Sequence, residues 1–195
     1  LAEAPDVPTV AAGACRLARD HFGSDSASYW QVDGDECVLV AREPAGDLPV
    51  GTRMPLAGFV QPSQRMEGSR TGWVARDALA RITRATPALQ RTGTAVGTST
   101  PIRVGGEPVA YLGLGWHDER SLPDAAWLGS LDRFADQVAI AKTVVRRRIA
   151  QHEAQSLGRR LQAGLLPVRL PDEGGVMVRS EYRPGTRHLL LGGDF

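Results

Sequence analysis

Thr98-Ser99-Thr100-Pro101-Ile102-Arg103-Val104-Gly105-Gly106-Glu107-Pro108-Val109-Ala110-Tyr111-Leu112-Gly113-Leu114-Gly115-Trp116 is the stretch whose reading decides the fold. Its arms carry β-branched and aromatic residues and meet at Gly105-Gly106, the pattern of a tight antiparallel hairpin. The first arm extends back to Thr94. Gly113 and Gly115 stand two apart, so both take a side chain away from the same face of the strand. A face bared in this way suits either a closely packed helix or a ligand approaching the sheet. Just downstream, Leu122-Pro123-Asp124 opens a helix, with Asp124 in the N-cap position.

Upstream, apolar residues at helical spacing (Val10, Ala14, Leu17, Ala18, Phe22) predict a first helix from about Asp6 to Phe22. Thr9 or Asp6 caps its start, and Gly23 ends it. Ala27–Val32 and Cys37–Ala41 alternate around Asp33-Gly34-Asp35, a second hairpin. Between the hairpins the pattern is weaker. A short strand is expected within Thr52–Met54, a helix around Val60–Glu67, a strand at Gly72–Ala75 and a helical turn near Pro87–Gln90.

Downstream, Asp124–Leu166 reads as one long helix. Trp127, Leu128, Leu131, Phe134, Val138, Ala141, Val145 and Ile149 form an apolar stripe, continued more weakly by Leu157, Leu161 and Leu165. At about 1.5 Å per residue the helix is on the order of 60 Å long. A domain of ordinary size cannot cover that length, so the far half calls for a partner, most simply a second copy in a parallel coiled coil. The expected dimer and linker positions are Leu131, Phe134, Val138, Val145, Ile149, Leu157, Leu161 and Leu165. The part up to Val145 should close the module, packing on its sheet or its dimer mate, and Arg146–Leu166 should transmit. After Pro167, Val176–Arg183 alternates like a strand, and Leu189-Leu190-Leu191 leads into Gly192-Gly193-Asp194-Phe195. That pattern is expected to begin a domain continuing past Phe195.

Composition narrows the function classes. The chain has 195 residues, 42% of them hydrophobic, enough for one cored domain plus extra elements. A net charge of +1 provides no global field to attract nucleic acid or an anionic membrane. The Arg146–Arg148 cluster reads as a solvated helix face. No apolar run approaches the roughly 20 residues of a membrane span. The start, Leu1-Ala2-Glu3-Ala4-Pro5, has no signal-peptide pattern and no Met, so a fragment is expected. Cys15 and Cys37 are expected to be reduced thiols of a cytoplasmic protein, with no metal between them.

Helix, hairpin, irregular middle, Gly-Gly hairpin entered through Pro101-Ile102-Arg103-Val104, then a helix: residues 5–146 resemble a GAF sensor domain. The resemblance implies an α+β fold with a central antiparallel sheet, flanking helices and a pocket for a small molecule, or a dimerisation role. The ligand stays unidentified. The asparagine-containing cyclic-nucleotide motif of some such domains is not recognisable. Cys15 and Cys37 are poorly placed for covalent bilin attachment, and His21 and His117 read as surface histidines rather than haem ligands. Trp30, Trp73, Trp116 and Tyr111 read as core. Arg53, Arg65 and Arg103 read as solvated, with a place in a pocket left open.

The tail carries a second resemblance. Leu161-Gln162-Ala163-Gly164-Leu165-Leu166-Pro167, Tyr182-Arg183-Pro184 and Gly192-Gly193-Asp194 look like the opening of a PPM-family serine/threonine phosphatase, of the bacterial branch acting on phosphorylated anti-sigma-factor antagonists. The resemblance implies Mn²⁺ or Mg²⁺ in the complete enzyme, with Asp194 as a ligand beside the Gly193 backbone. The other metal-binding acids would lie beyond Phe195, so residues 167–195 are not expected to bind metal alone. Gly-Gly-Asp-Phe also superficially resembles the diguanylate cyclase loop, but that loop sits deep inside its own domain. The resulting expectation is a GAF domain at 5–146, a linker helix at 124–166 and a truncated phosphatase start at 167–195. Together they would be the sensor and linker of a regulated phosphatase. The alternative is a non-catalytic binding or dimerisation module.

Overall fold

The computed structural model describes residues 1–46, 48–60, 64–65, 69–75 and 92–165, with the backbone alone at 60, 64–65 and 161–165. The predicted turn near Pro87–Gln90, the strand at Val176–Arg183 and the candidate ligand Asp194 with Gly193 lie outside the described residues. The chain divides into two compact units, Leu1–Arg146 and Arg147–Phe195.

The first unit opens with α1 (Val7–Phe22). The Asp6 carboxylate accepts from the Thr9 amide at 2.8 Å, and Gly23 closes the helix in the left-handed conformation. Then follow β1 (Ser26–Asp33), β2 (Glu36–Glu43), β3 (Arg53–Pro55), the short α2 (Ala57–Val60), β4 (Gln64–Arg65), β5 (Gly72–Val74), β6 (Val96–Val104) and β7 (Glu107–Trp116). They form one antiparallel sheet in the order β3-β2-β1-β7-β6-β5-β4. The helix expected around Val60–Glu67 is corrected in part: Gln64 and Arg65 extend to pair with Trp73 and Gly72. Backbone pairing along the β5 edge there overrides a weak local helical preference.

α3 (Ala125–Leu165) follows β7. Asp124 caps it, accepting from the Trp127 amide at 2.8 Å. Up to Arg146 the helix lies on the sheet with α1. Its buried residues include Leu128, Leu131, Ala135, Val138, Lys142 and Val145, a three-four repeat that keeps one stripe against the core. From α1, Ala14, Cys15, Ala18 and Phe22 are buried. An aromatic chain joins the layers: Trp73 stacks near Trp116, Trp116 near Trp127, and Phe22 meets both Trp127 and Phe134 edge-on. From Arg147 to Arg160, no described side chain of α3 is buried.

Two features of this layer were not visible in the sequence. Lys142, the only lysine in the chain, is 1% exposed inside the stripe. Its Nζ donates to Gln31 Oε1 at 2.5 Å and lies 5.7 Å from the Tyr29 ring centre. Asp132 anchors the segment before β5, accepting from Ser69 Oγ at 2.9 Å, the Arg70 amide at 3.0 Å and Thr71 Oγ1 at 2.9 Å. Thr71, fully buried, also pairs with Thr100 on β6 at 2.9 Å.

Candidate ligand-binding pocket

The opposite face of the sheet holds a pocket, and the strand registers explain its shape. Residues paired across an antiparallel sheet project to the same side. One row on this face reads Leu39–Trp30–Tyr111–Pro101 across β2, β1, β7 and β6. The next reads Arg42–Ser28–Gly113–Ser99–Gly72, and the third Ser26–Gly115–Gly97–Val74. A row of large side chains thus stands beside two rows that are almost bare.

Phe59 of α2 leans over the aromatic row, its ring centre 5.2 Å from Trp30 and 5.3 Å from Tyr111. Behind it, Cys37, Leu39, Leu48 and Met54 join Trp30 and Tyr111 in a buried cluster. The result is a pocket with a glycine and serine floor, an apolar wall including Trp30, Phe59, Leu48 and Met54, and a far rim at Thr92 and Thr94. About 700 Å³ of space lies between these walls, the open mouth included. The hydroxyls are positioned: Trp30 Nε1 donates to Ser28 Oγ at 3.0 Å, and Ser99 Oγ donates to the Phe59 carbonyl at 3.3 Å. Arg42 is the only charged side chain among the described lining residues.

Arg42 reaches the pocket because of a β-bulge. Tyr29 pairs with Ala41 but Trp30 pairs with Leu39, leaving Val40 as the extra residue. Strict alternation would put Cys37, Leu39 and Ala41 on one face. Instead Cys37 and Leu39 join the pocket-side cluster, while the Ala41 carbonyl accepts from Cys15 Sγ of α1. Glu43 beyond it pairs with Arg19 of α1 at 2.9 Å.

The floor tolerates no added side chain without movement. A Cβ at Gly113 would stand 2.8 Å from Ser28 Oγ, and one at Gly115 2.8 Å from Ser26 Oγ. At Gly97 the obstruction is backbone, the Leu114 carbonyl oxygen at 2.7 Å, which cannot rotate away. Gly97→Ala is therefore expected to cost about 2 kcal/mol by urea unfolding, and Gly113→Ala less than half of that.

The candidates from sequence scatter around this site. Gly113 and Gly115 form the floor, so the bared face meets the pocket and not a helix. Trp30 lines it and Tyr111 backs it, whereas Trp73 and Trp116 belong to the helix side. Arg53 is held by Asp33 and Glu36 and Arg103 by the Gly106 carbonyl; the Arg65 side chain lies outside the described residues. His21 packs edge-on against Phe22, and His117 is exposed near Asp25. Neither thiol lines the pocket. Burial pushes the Cys15 thiol up to about 12, helped by Glu43, and the Cys37 thiol up to about 11. Of the expected dimer and linker positions, Leu131, Val138 and Val145 are completely buried in the module's own core, and Phe134 packs on Phe22. Ile149 is partly buried and Leu157 is 52% exposed. The side chains of Leu161 and Leu165 lie outside the described residues.

No protein-family model and no curated protein matches the chain. Solved structures do. It is similar to the phycoerythrobilin-bound GAF domain from a cyanobacterial phytochrome, with TM-score 0.57 and 13% identity over 73% of this chain and 88% of that one. It is also similar to the blue-light absorbing form of the Thermosynechococcus elongatus PixJ GAF domain, with TM-score 0.57 and 12% identity over 78% and 93%.

The chain has the GAF fold.

A bacteriophytochrome from R. palustris shows the same likeness, with TM-score 0.59 and 11% identity over 82% of this chain and 38% of that longer one. At such identities the GAF likeness carries architecture alone. Among the described residues, no helix is long and apolar enough to cross a membrane.

Proposed function

We propose that this chain is the sensor and transmitter of a signalling protein: the pocket takes up a small molecule, and α3 carries the consequence outward. The observation that carries the reading is the bared floor of Gly97, Gly113 and Gly115 beneath an aromatic wall, since a sheet face built only for packing would be filled. Val74 lines the pocket on β5, and Thr71, just before that strand, is bonded to Asp132 on α3. A ligand that displaces β5 thereby acts on the helix, provided it binds the two arrangements with different affinity. Phycoerythrobilin, which one structural neighbour binds, is not the ligand favoured here, because both thiols are buried away from the pocket.

The parent protein in this proposal is a cytoplasmic, metal-dependent PPM-type phosphatase acting on a phosphorylated anti-sigma-factor antagonist. Support comes from Leu161–Pro167, Tyr182-Arg183-Pro184 and Gly192-Gly193-Asp194. Hard Mn²⁺ or Mg²⁺ ions require several clustered oxygens, so Asp194 alone does not complete a site. The protein would act as a homodimer through α3, where Ile140 (55% exposed) and Val144 (44%) stand one turn apart as unpartnered apolar side chains of the sensor unit.

Native mass spectrometry of residues 1–195, together with thermal-shift screening of a small-molecule library, tests the sensor reading. A retained mass or a stabilising ligand supports it. A bare chain that no compound stabilises would overturn it. In the parent protein, Leu157→Asp with Leu161→Asp is expected to alter the rate or the regulation of phosphate release from the phosphoprotein. Unchanged rate and regulation would refute transmission through α3.

A further inference from the structure

We propose that the ligand is a planar cyclic amide of one or two rings, its carbonyl accepting from Ser28 and its adjacent N–H donating to Ser99. The inference rests on the reading of the pocket as a small-molecule site and adds the hydrogen-bonding pattern of what enters it.

The two serines flank Gly113 on the pocket floor, and each has one hydrogen-bonding role already taken. An indole N–H can only donate, so the 3.0 Å contact from Trp30 Nε1 makes Ser28 Oγ an acceptor. The Ser28 proton is left with the Gly113 carbonyl at 3.5 Å, longer than an ordinary O–H···O bond. A ligand carbonyl would hold that proton at about 2.8 Å. Ser28 and Gly113 are half-buried, open to the pocket. Ser99 is committed the other way. A backbone carbonyl can only accept, so the 3.3 Å contact to Phe59 takes the Ser99 proton and leaves its oxygen lone pairs for a donor. One hydroxyl offers a hydrogen, and its neighbour offers an electron pair.

The glycine sets the distance between them. Ser28, Gly113 and Ser99 are register partners on β1, β7 and β6. The Ser28 hydroxyl leans toward β7, its oxygen 2.8 Å from where a Gly113 Cβ would stand. That leaves roughly one strand spacing, about 4.8 Å, between it and Ser99. In a cyclic amide the N–H and C=O leave one edge on the same side, with nitrogen and oxygen about 2.3 Å apart by standard bond lengths. Hydrogen bonds diverging from that edge reach partners about one strand apart. An open-chain amide in its preferred trans form points the two groups in opposite directions and cannot make both bonds. Behind the amide edge, Trp30, Phe59, Leu48 and Met54 offer an apolar wall to a flat ring system. The small row of Ser26, Gly115 and Gly97 beside it leaves room for a second fused ring.

Isothermal titration of residues 1–195 with 2-quinolone, coumarin and quinoline tests this. Coumarin keeps both rings and the carbonyl of 2-quinolone but has an oxygen in place of the N–H, and quinoline lacks the carbonyl. The lactam is expected to bind about tenfold more tightly than either, the effect of one hydrogen bond and the unpaired group its loss leaves. Ser99→Ala should bring 2-quinolone down to the affinity of coumarin and leave coumarin unchanged. Ser28→Ala should weaken 2-quinolone and coumarin alike and leave quinoline unchanged. Equal binding of 2-quinolone and coumarin by the wild-type chain would overturn the inference without recourse to any variant. So would a folded Ser99→Ala protein that keeps the full preference. If 2-quinolone does not bind but a compound of another class stabilises the protein, the sensor reading stands and this inference fails. If no compound of any class binds, both fail.

Discussion

Replacing Asp132 by Ala should lower the stability of the Leu1–Arg146 unit by about 2–3 kcal/mol, because one carboxylate serves three donors on the segment leading into β5. The loss is larger than for a surface pair. Thr71 is fully buried, and without Asp132 its hydroxyl keeps only Thr100. The ion pair between Arg70 and Asp136 nearby is half-exposed and would not compensate. Asp132→Asn should retain part of the stability, since an amide oxygen still accepts but its NH₂ group faces donors. Urea unfolding of the three proteins measures this ordering. Equal stability of Ala and Asn variants would show that geometry at Asp132 is unimportant. In the parent protein, Asp132→Ala should also uncouple ligand from output, as β5 would no longer be tied to α3.

The second large effect is a pH dependence centred on Lys142. Burial, reinforced by the Arg146 guanidinium, lowers its amine from 10.5 to about 8. Between about pH 8 and 10.5 the unfolded chain holds a proton that the native protein has released, so stability rises with pH through that window. Below about pH 8 both states are protonated, and the native protein bears the full cost of a buried cation. The opposing groups begin higher. Burial raises Cys15, Cys37 and Tyr29 in the native state, so from about pH 9 upward the unfolded chain loses those protons first and stability falls. Stability should therefore pass through a maximum near pH 9. Lys142→Met should abolish the rising limb, worth on the order of 1–2 kcal/mol, and leave the falling limb in place. The comparison is made by denaturant unfolding of both proteins from pH 7 to 10. A wild-type curve parallel to the variant's would mean that Lys142 keeps its ordinary affinity for the proton.

What the sequence revealed and what it hid divide along physical lines. The helix caps at Asp6, Gly23 and Asp124 and the turns at Gly34 and Gly105-Gly106 are local, set by residues within a few positions of each other, and they could be read directly. The spacing of Gly113 and Gly115 even located the bared face, though not whether a helix or a ligand would meet it. Arg42 could not be placed, because the bulge at Val40 depends on how β1 and β2 settle against both layers at once. The Asp132 anchor joins residues more than 60 apart and has no local signature. Lys142 falls on the apolar stripe by spacing, but an ammonium group carries no apolar signal, whereas its neighbour Ala141 does. Gln64-Arg65 is not legible as a strand because two residues hold too little pattern to outweigh their neighbours.

The seclusion of Lys142 also gives the molecule a built-in reporter. Every other basic side chain apart from the histidines is arginine, so an amine-directed reagent finds only the terminal amine and this one sealed ammonium group. Slow acquisition of a second label by the native protein would time the parting of α3 from the sheet, the motion on which the proposed transmission through the helix depends. Anything that seals or loosens that joint, a pocket ligand included, would register as a change in a single labelling rate.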